Sequence, residues 1–340
     1  MIEARGLRKS FQTRKRGKTT AVDAVVGIDL RVEAGEIFGF LGPNGAGKTT
    51  TLRMFATLLP PDGGEAVIAG ADLLRKPAEV RRAIGYIAQG GGTWDDVTAR
   101  QELVLQARMH GIGKAEAQRR AAQSLEAFEL ADYGDRNCKT YSGGQRRRVD
   151  IALGVVHRPK VVFLDEPTTG LDPQSRAHMW DMVRKLREEG MTVFLTTHYL
   201  DEADALCDRI AIIDAGRIVA EGTPAALKRE ISGDVVTVRV AAADAEQVGA
   251  AQSTAAQSTA AQVTTAQKAA DLLAAEPYAR SAEARDNGEL RLAVDVGESA
   301  IPRIMRTLES AGIELSTIEL HRPTLDDVFF AKTGRSLRES

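Results

Sequence analysis

The sequence predicts a larger α/β domain, a mainly parallel sheet flanked by helices, followed by a small α+β domain. Short apolar runs rich in β-branched residues alternate with longer amphipathic ones from residue 1 to about 230. VVFLD at 161–165 and TVFLTTH at 192–198 are short and continuously apolar, as strands buried on both faces must be. After residue 231 the texture changes, and the expected domains are therefore 1–230 and 231–340.

Composition agrees with two ordinary cores. The chain has 340 residues, 43% of them hydrophobic. Its 45 Lys+Arg against 47 Asp+Glu leave a formal charge of −2, so no overall positive field draws it to nucleic acid, and no nucleic-acid partner is expected. Cys138 and Cys207 are too few and too far apart for a disulfide framework or a zinc site, which suits a reducing compartment. No apolar stretch approaches the roughly 18 to 20 residues that cross a bilayer, and the charged start MIEARGLRKS lacks the core of a secretion signal. The expected location is the cytoplasm, with any membrane crossing left to another subunit.

Taken in chain order, RKRGK at 14–18 reads as a solvated loop. The apolar run EIFGFL, 36–41, leads through GPNGAGKTT, 42–50, into the helix-like TLRMFATLL, 51–59. Between about 95 and 150 the segments QELVLQARMHG and KAEAQRRAAQSLEAFEL carry few β-branched residues, which predicts a helical subdomain inserted between sheet elements. DPQSRAHMWDMVRKLREEG, 172–190, offers Asp172 as N-cap, Pro173 at the first helical position and Gly190 as the stop, a crossover helix. RIAIIDAGRIVAEG, 209–222, reads as a hairpin turning at Ala215-Gly216. VVTVRV is a further strand, and ELRLAVDV, SAIPRIMRTLESAG and IELSTIEL suggest strand, helix, strand. Between them a pentamer recurs at 250–264 (AAQST, AAQST, AAQVT); its small polar residues predict a helix-prone or disordered insert without chemistry.

The chemistry begins at GPNGAGKTT. The spacing of Gly42, Gly47, Lys48 and Thr49 lets the backbone fold into a nest of N–H groups, completed by the positive end of the following helix. A triphosphate fits it, with Lys48 on the β- and γ-phosphates and the Thr49 hydroxyl on Mg²⁺. That loop alone admits kinases, GTPases and other ATPases. VVFLDE then ends a buried strand in two carboxylates, Asp165 for the shell of the metal ion and Glu166 to polarise a water for attack on the γ-phosphate. About twenty residues upstream, Ser142, Gly143 and Gly144 open a helix in YSGGQRRRVDIALGVV, a second anion-receptive N-terminus.

In their order these motifs resemble the ATP-binding subunits of ABC transporters over about residues 3–225. The resemblance implies a P-loop NTPase fold of ABC type. It implies ATP bound by the Walker A residues Gly42, Pro43, Asn44, Gly45, Ala46, Gly47, Lys48, Thr49 and Thr50, and by the signature residues Ser142, Gly143, Gly144 and Gln145. It further implies Mg²⁺ near Thr49, Gln89 and Asp165; Gln89 of GYIAQ as the Q-loop glutamine; Asp172 in the D-loop; and catalysis by Glu166 with His198, Gln89 and Lys48. Phe11 is the candidate for stacking on adenine, with a core-strand phenylalanine as the competing reading. Tyr141 departs from the leucine usual in the family.

Two such subunits meet head to tail as a homodimer, each ATP clamped between the Walker A of one and the signature of the other. The tail HRPTLDDVFFAKTG, 321–334, resembles the drug exporter ATPases of daunorubicin-resistance type. These work at the cytoplasmic face of the cell membrane with a separate ABC-2 type transmembrane subunit. Export of a hydrophobic drug or antibiotic, a lipid or a polysaccharide is the implied function. The competing classes are a soluble ABC-type ATPase acting on nucleic acid or ribosomes, and a drug-binding self-resistance protein. The same tail also reads as a helix capped by Thr324.

Overall fold

The computed structural model describes residues 1–15, 18–231, 234–240, 255–284 and 289–334. The chain separates into two compact units, Met1–Pro224 together with the residues from Lys332 on, and Ala225–Ala331.

The first unit opens with β1 (Ile2–Lys15) and β2 (Lys18–Val32), an antiparallel pair. β3 (Ile37–Leu41) and α1 (Lys48–Phe55) follow, then β4 (Gly63–Ile68) and β5 (Ala71–Asp72), which join the first two strands in a sheet of order β2-β1-β4-β5. Next come α2 (Pro77–Ala83) and β6 (Ile84–Ile87), the three helices α3 (Ala99–Met109), α4 (Lys114–Ala127) and α5 (Gly143–Val155), and then β7 (Val161–Asp165). α6 (Pro173–Glu188), β8 (Thr192–Thr197), α7 (Leu200–Leu206), β9 (Arg209–Asp214) and β10 (Arg217–Gly222) complete the unit.

The second sheet has the order β10-β9-β3-β8-β7-β6, parallel from β9 to β6 with β10 antiparallel at its edge. Every residue of β3, β7 and β8 is buried, which is why these strands read as unbroken apolar runs. Phe38 and Phe40 of β3, Phe163 of β7 and Phe55 of α1 gather round Phe194 of β8, with ring centroids 5.6 to 5.8 Å from it. One apolar core continues from these rings to Ile2, Leu7, Val25 and Ile28 of the antiparallel sheet.

The ends of the elements follow local chemistry. Asp172 caps α6 by accepting from the Ser175 backbone N–H at 2.9 Å, with Pro173 behind it and Gly190 in the left-handed region (φ 87°) just past the end. The β9–β10 turn places Ala215 and Gly216 at φ 45° and 77°, the primed geometry that suits a two-residue hairpin. The helices α3, α4 and α5 leave and rejoin the sheet between its neighbouring strands β6 and β7, an insertion that runs from Ala99 to Val155, past the expected end at about 150.

α8 (Pro224–Ile231) leads into the second unit, where β11 (Asp234–Val240), α9 (Ala255–Ala274), β12 (Ala279–Ala284), β13 (Glu289–Val294), α10 (Gly297–Ser310) and β14 (Leu315–His321) form a βαββαβ array. Its antiparallel sheet, β12-β13-β11-β14, has the split βαβ order. Val236, Val238, Leu290, Leu292 and Val294 are buried with Ala269, Ala270 and Leu273 of α9 and Ile304 and Leu308 of α10. α11 (Leu325–Thr333) follows, its start capped by mutual bonds of Thr324 and Asp327.

Two differences from the sequence reading have physical reasons. Arg14, Lys15 and Lys18 of the basic run belong to paired strands instead of a loop, because the β1–β2 pairing continues to the end of the hairpin, with Lys15 opposite Lys18; Arg16 and Gly17 lie outside the described residues. The pentamer repeat agrees with its helix-prone reading where it is described: 250–254 lie outside the described residues, and 255–264 are helical as the first part of α9. The antiparallel β2-β1-β4-β5 sheet and β12 went unrecognised because long-range pairing leaves little local signature.

Candidate functional site

The parallel strands β3, β6, β7 and β8 deliver their carboxyl ends to one edge of the sheet, where open α/β sheets hold ligands. The turn after β3 is shaped by close approach. A Cβ on Gly42 would lie 2.2 Å from the Ile213 carbonyl oxygen, and one on Gly47 would lie 2.3 Å from that of Ala24. Gly47 also holds φ 104° as the N-cap of α1 and gives no side-chain cap, so the first amide groups of that helix face the turn. Pro43 and Ala46 are buried, whereas Asn44 and Gly45 form the exposed tip and Thr50 is half-buried.

Lys48 bends back under this loop. Its Nζ donates to Gly42 O at 2.7 Å and Pro43 O at 3.0 Å and lies 3.4 Å from Glu166 Oε1. Burial lowers its pKa, against the opposing pull of Glu166 and Asp165. The Thr49 hydroxyl donates to Asp165 Oδ1 at 3.0 Å, an oxygen that also accepts from Thr196 Oγ1 at 2.7 Å.

Glu166 is the meeting point. Its Oε2 accepts from Gln89 Nε2 at 2.9 Å and from Thr169 Oγ1 at 3.1 Å, and His198 Nδ1 stands 3.2 Å away. That last contact is proximity without hydrogen-bond alignment, since His198 Nδ1 has no bonded partner. Glu166 itself takes φ 46°, uncommon for a residue with a side chain, and its N–H is held by Thr196 O at 3.1 Å and Thr196 Oγ1 at 3.0 Å. Oxygen donors at Thr49, Asp165 and the Gln89 amide suit a hard cation such as Mg²⁺, which takes few protein ligands and keeps the rest for phosphate and water. A dedicated cluster of three or more His, Cys, Asp or Glu side chains is absent among the described residues.

The remaining candidates lie apart from this group. Ser142 and Gln145 close a capping box on α5, Ser142 N donating to Gln145 Oε1 at 2.9 Å and Gln145 N to Ser142 Oγ at 3.2 Å. Gly143 and Gly144 complete the first turn, and a Cβ on Gly144 would approach Ser175 Oγ at 3.3 Å. None of these four residues is hydrogen-bonded to residues 42–50 among the described residues. Asp172 faces Ser175, whose bonds hold its carboxyl below the usual range. Phe11 sits in β1 opposite Val22 yet is 39% exposed, so it is a strand residue whose ring is not buried in the core. Tyr141 is buried and donates to Tyr133 O, giving its hydroxyl a structural partner that leucine would lack.

Sequence reasoning missed Thr169, Thr196, Arg147 and Asp150. Asp150 accepts from Gly92 N at 2.9 Å and Thr93 Oγ1 at 2.6 Å, fastening the segment after Gln89 to α5. A signal existed: Arg147, Asp150, Ile151 and Gly154 are buried at the spacing of one helix face. With three consecutive arginines, only that periodicity distinguishes the inward one.

Residues 25–169 match the ABC transporter family, and residues 222–333 match the C-terminal domain of DrrA1-3-like ATP-binding proteins. The chain belongs to the family of ABC transporter ATP-binding subunits, ATPases that drive transport. It is 43% identical over 315 residues to the daunorubicin resistance ATP-binding protein DrrA3 of Streptomyces coeruleorubidus, covering 93% of this chain and 92% of that one. It is 33% identical to the linearmycin resistance ATP-binding protein LnrL of Bacillus subtilis over the full length of both. The ATP-binding cassette MJ0796, solved as a dimer in a post-hydrolysis state with ADP and Pi, aligns with a TM-score of 0.59 at 26% identity, over 66% of this chain and 98% of that one. No helix among the described residues is long and apolar enough to cross a membrane.

Proposed function

We propose that this chain hydrolyses ATP to power export of a hydrophobic compound through a separate ABC-2 type transmembrane subunit, acting as a homodimer on the cytoplasmic face of the cell membrane. The observation that carries the reading is the convergence of Lys48, Gln89, Thr169 and His198 on one buried carboxylate, Glu166, at the edge of the phosphate loop. The names of the relatives, given for daunorubicin and linearmycin resistance, support a hydrophobic natural product as cargo.

Residues 42–50 wrap the triphosphate, with Lys48 exchanging its carbonyl partners for phosphate oxygens and Phe11 stacking on adenine. Thr49 and Asp165, with Gln89, hold Mg²⁺, which supplies charge neutralisation at the phosphates. Glu166 orients and polarises the attacking water, Gln89 fixes its carboxylate, and His198 contacts the γ-phosphate. Ser142, Gly143, Gly144 and Gln145 of the second subunit, with Asp172 beside them, close over the nucleotide. ATP favours the closed pair because only that state makes both sets of contacts, and hydrolysis removes the preference. The groove between the segment after Gln89 and the helical insertion passes this motion to the membrane subunit.

Glu166→Gln tests the proposal. The variant should bind ATP, lose at least about 100-fold in hydrolysis, and accumulate an ATP-dependent dimer by size-exclusion chromatography. Ordinary turnover would remove Glu166 from its role, and a monomer at saturating ATP and Mg²⁺, with or without the membrane partner, would remove the dimer.

A further inference from the structure

Arg147 is the fifth residue of α5, just past its first turn, and its side chain is buried. Its guanidinium makes no ion pair among the described residues, an unusual situation for a buried charge. Carbonyl oxygens surround it. Nη1 donates to Ala88 O at 2.6 Å, Nε to Pro167 O at 2.9 Å, and Nη2 to Asp165 O at 3.2 Å and Glu166 O at 3.4 Å.

The position of these acceptors gives the contact its meaning. β6 and β7 run side by side with Ile87 beside Leu164, and β7 ends one residue later at Asp165, still paired with Thr196, so the carbonyls of Ala88, Glu166 and Pro167 lie just beyond the strand ends. Ala88 directly precedes Gln89. Asp165, Glu166 and Pro167 are the residue before, the residue itself and the residue after the carboxylate that Gln89 touches at 2.9 Å. Glu166 is in the left-handed region, and such a conformation persists only where its surroundings over-determine it. Thr196 fixes its N–H side, and Arg147 fixes its carbonyl side. Planarity matters here, because a rigid fork of five donors can bridge two chain segments and a lysine ammonium cannot reproduce that spread.

We propose that Arg147 is a positioning residue for hydrolysis, holding the backbones of Gln89 and Glu166 in one register so that their side chains meet, and tying that register to the helix that begins at Ser142. A turn of α5 as its N-terminus engages nucleotide would then move both groups together. The inference rests on the proposed role of Glu166. Arg147 touches no substrate, and the bland alternative is that it only cements α5 to the sheet.

The two alternatives separate on chemistry per binding site. The full chain, reconstituted with its membrane subunit in vesicles, is compared with Arg147→Lys and Arg147→Gln by titrating ATP sites with a fluorescent nucleotide and measuring kcat per site. Positioning requires a dissociation constant within threefold of the unmodified chain and at least a tenfold fall in kcat per site, in Arg147→Lys as in Arg147→Gln. A smaller fall in Arg147→Lys, a fall matched by lost affinity, or failure of both variants to bind nucleotide would overturn it, the last by making Arg147 a folding residue. Glu166→Gln is the control. If that variant turns over normally, the functional reading fails; if it is inactive while Arg147→Lys is active, only this inference fails.

Discussion

Lys48 shows how much one side chain depends on what surrounds it. Buried beneath the loop, bonded to Gly42 O and Pro43 O and 3.4 Å from Glu166 Oε1, its ammonium has lost water, and burial outweighs the pull of Glu166 and Asp165 and lowers its pKa. A polyphosphate would add negative charge beside it in place of the neutral carbonyls. Lys48→Ala should therefore weaken nucleotide binding by tenfold or more, about 1.4 kcal/mol per decade, in a fluorescent-nucleotide titration. Unchanged affinity would remove the phosphate-loop assignment. The loop itself is legible because GxxxxGKT is a local pattern, whereas the 3.4 Å approach of Lys48 to Glu166, 118 positions later, is not written in any local spacing.

At the scale of elements, helix ends were the most readable feature, because a cap is chemistry between residues three apart. α6 starts where Asp172 and Pro173 say it should, and α5 begins with a capping box whose Ser142 is also a candidate ligand. Asp172→Ala removes the cap and should lower the melting temperature of the nucleotide-free chain by about 2 to 4 °C. No shift in a calorimetric scan would mean that Ser175 finds another acceptor. β7 and β8 were equally plain, since burial on both faces forces continuous apolar runs. β1 and β2 were not: their residues alternate in exposure, and Arg14, Lys15 and Lys18 mimic a loop while pairing as strands.

For the whole molecule, a half-buried pair of histidines couples stability to pH. His157, just past α5, is stacked on His110 after α3, with ring centroids 3.7 Å apart and planes within 10°. Its Nε2 meets Ile84 O at 2.9 Å, and its buried Nδ1 has no partner. Burial first, and the neighbouring His110 second, push its pKa down to about 4. The unfolded chain takes up this proton near its ordinary value of about 6.5, so the stabilising contribution is complete above that pH and is lost as pH falls toward 4. Partial exposure of the ring leaves an effect of about 1 to 2 kcal/mol. His157→Phe, which keeps a ring against His110 but does not titrate, should show a shallower loss of stability between pH 6.5 and 4 in urea titrations. Parallel curves for the two chains would assign the acid sensitivity elsewhere.

What the sequence alone determined was everything carried by near neighbours: the phosphate loop, the carboxylate-tipped strand, the capped helices, the Ala215-Gly216 hairpin and the family resemblance that their order supports. Tertiary structure decided which of these meet. The order β9-β3-β8-β7-β6 brings together loops far apart in the chain, and so sets Gln89, Thr169 and His198 round Glu166. It also decided what the inward arginine of 146–148 meets, because the carbonyls that Arg147 satisfies come together only at the ends of β6 and β7. The physical reason is that periodicity and capping act over a few residues, whereas strand order and buried polar pairing are settled by the burial of the whole sheet.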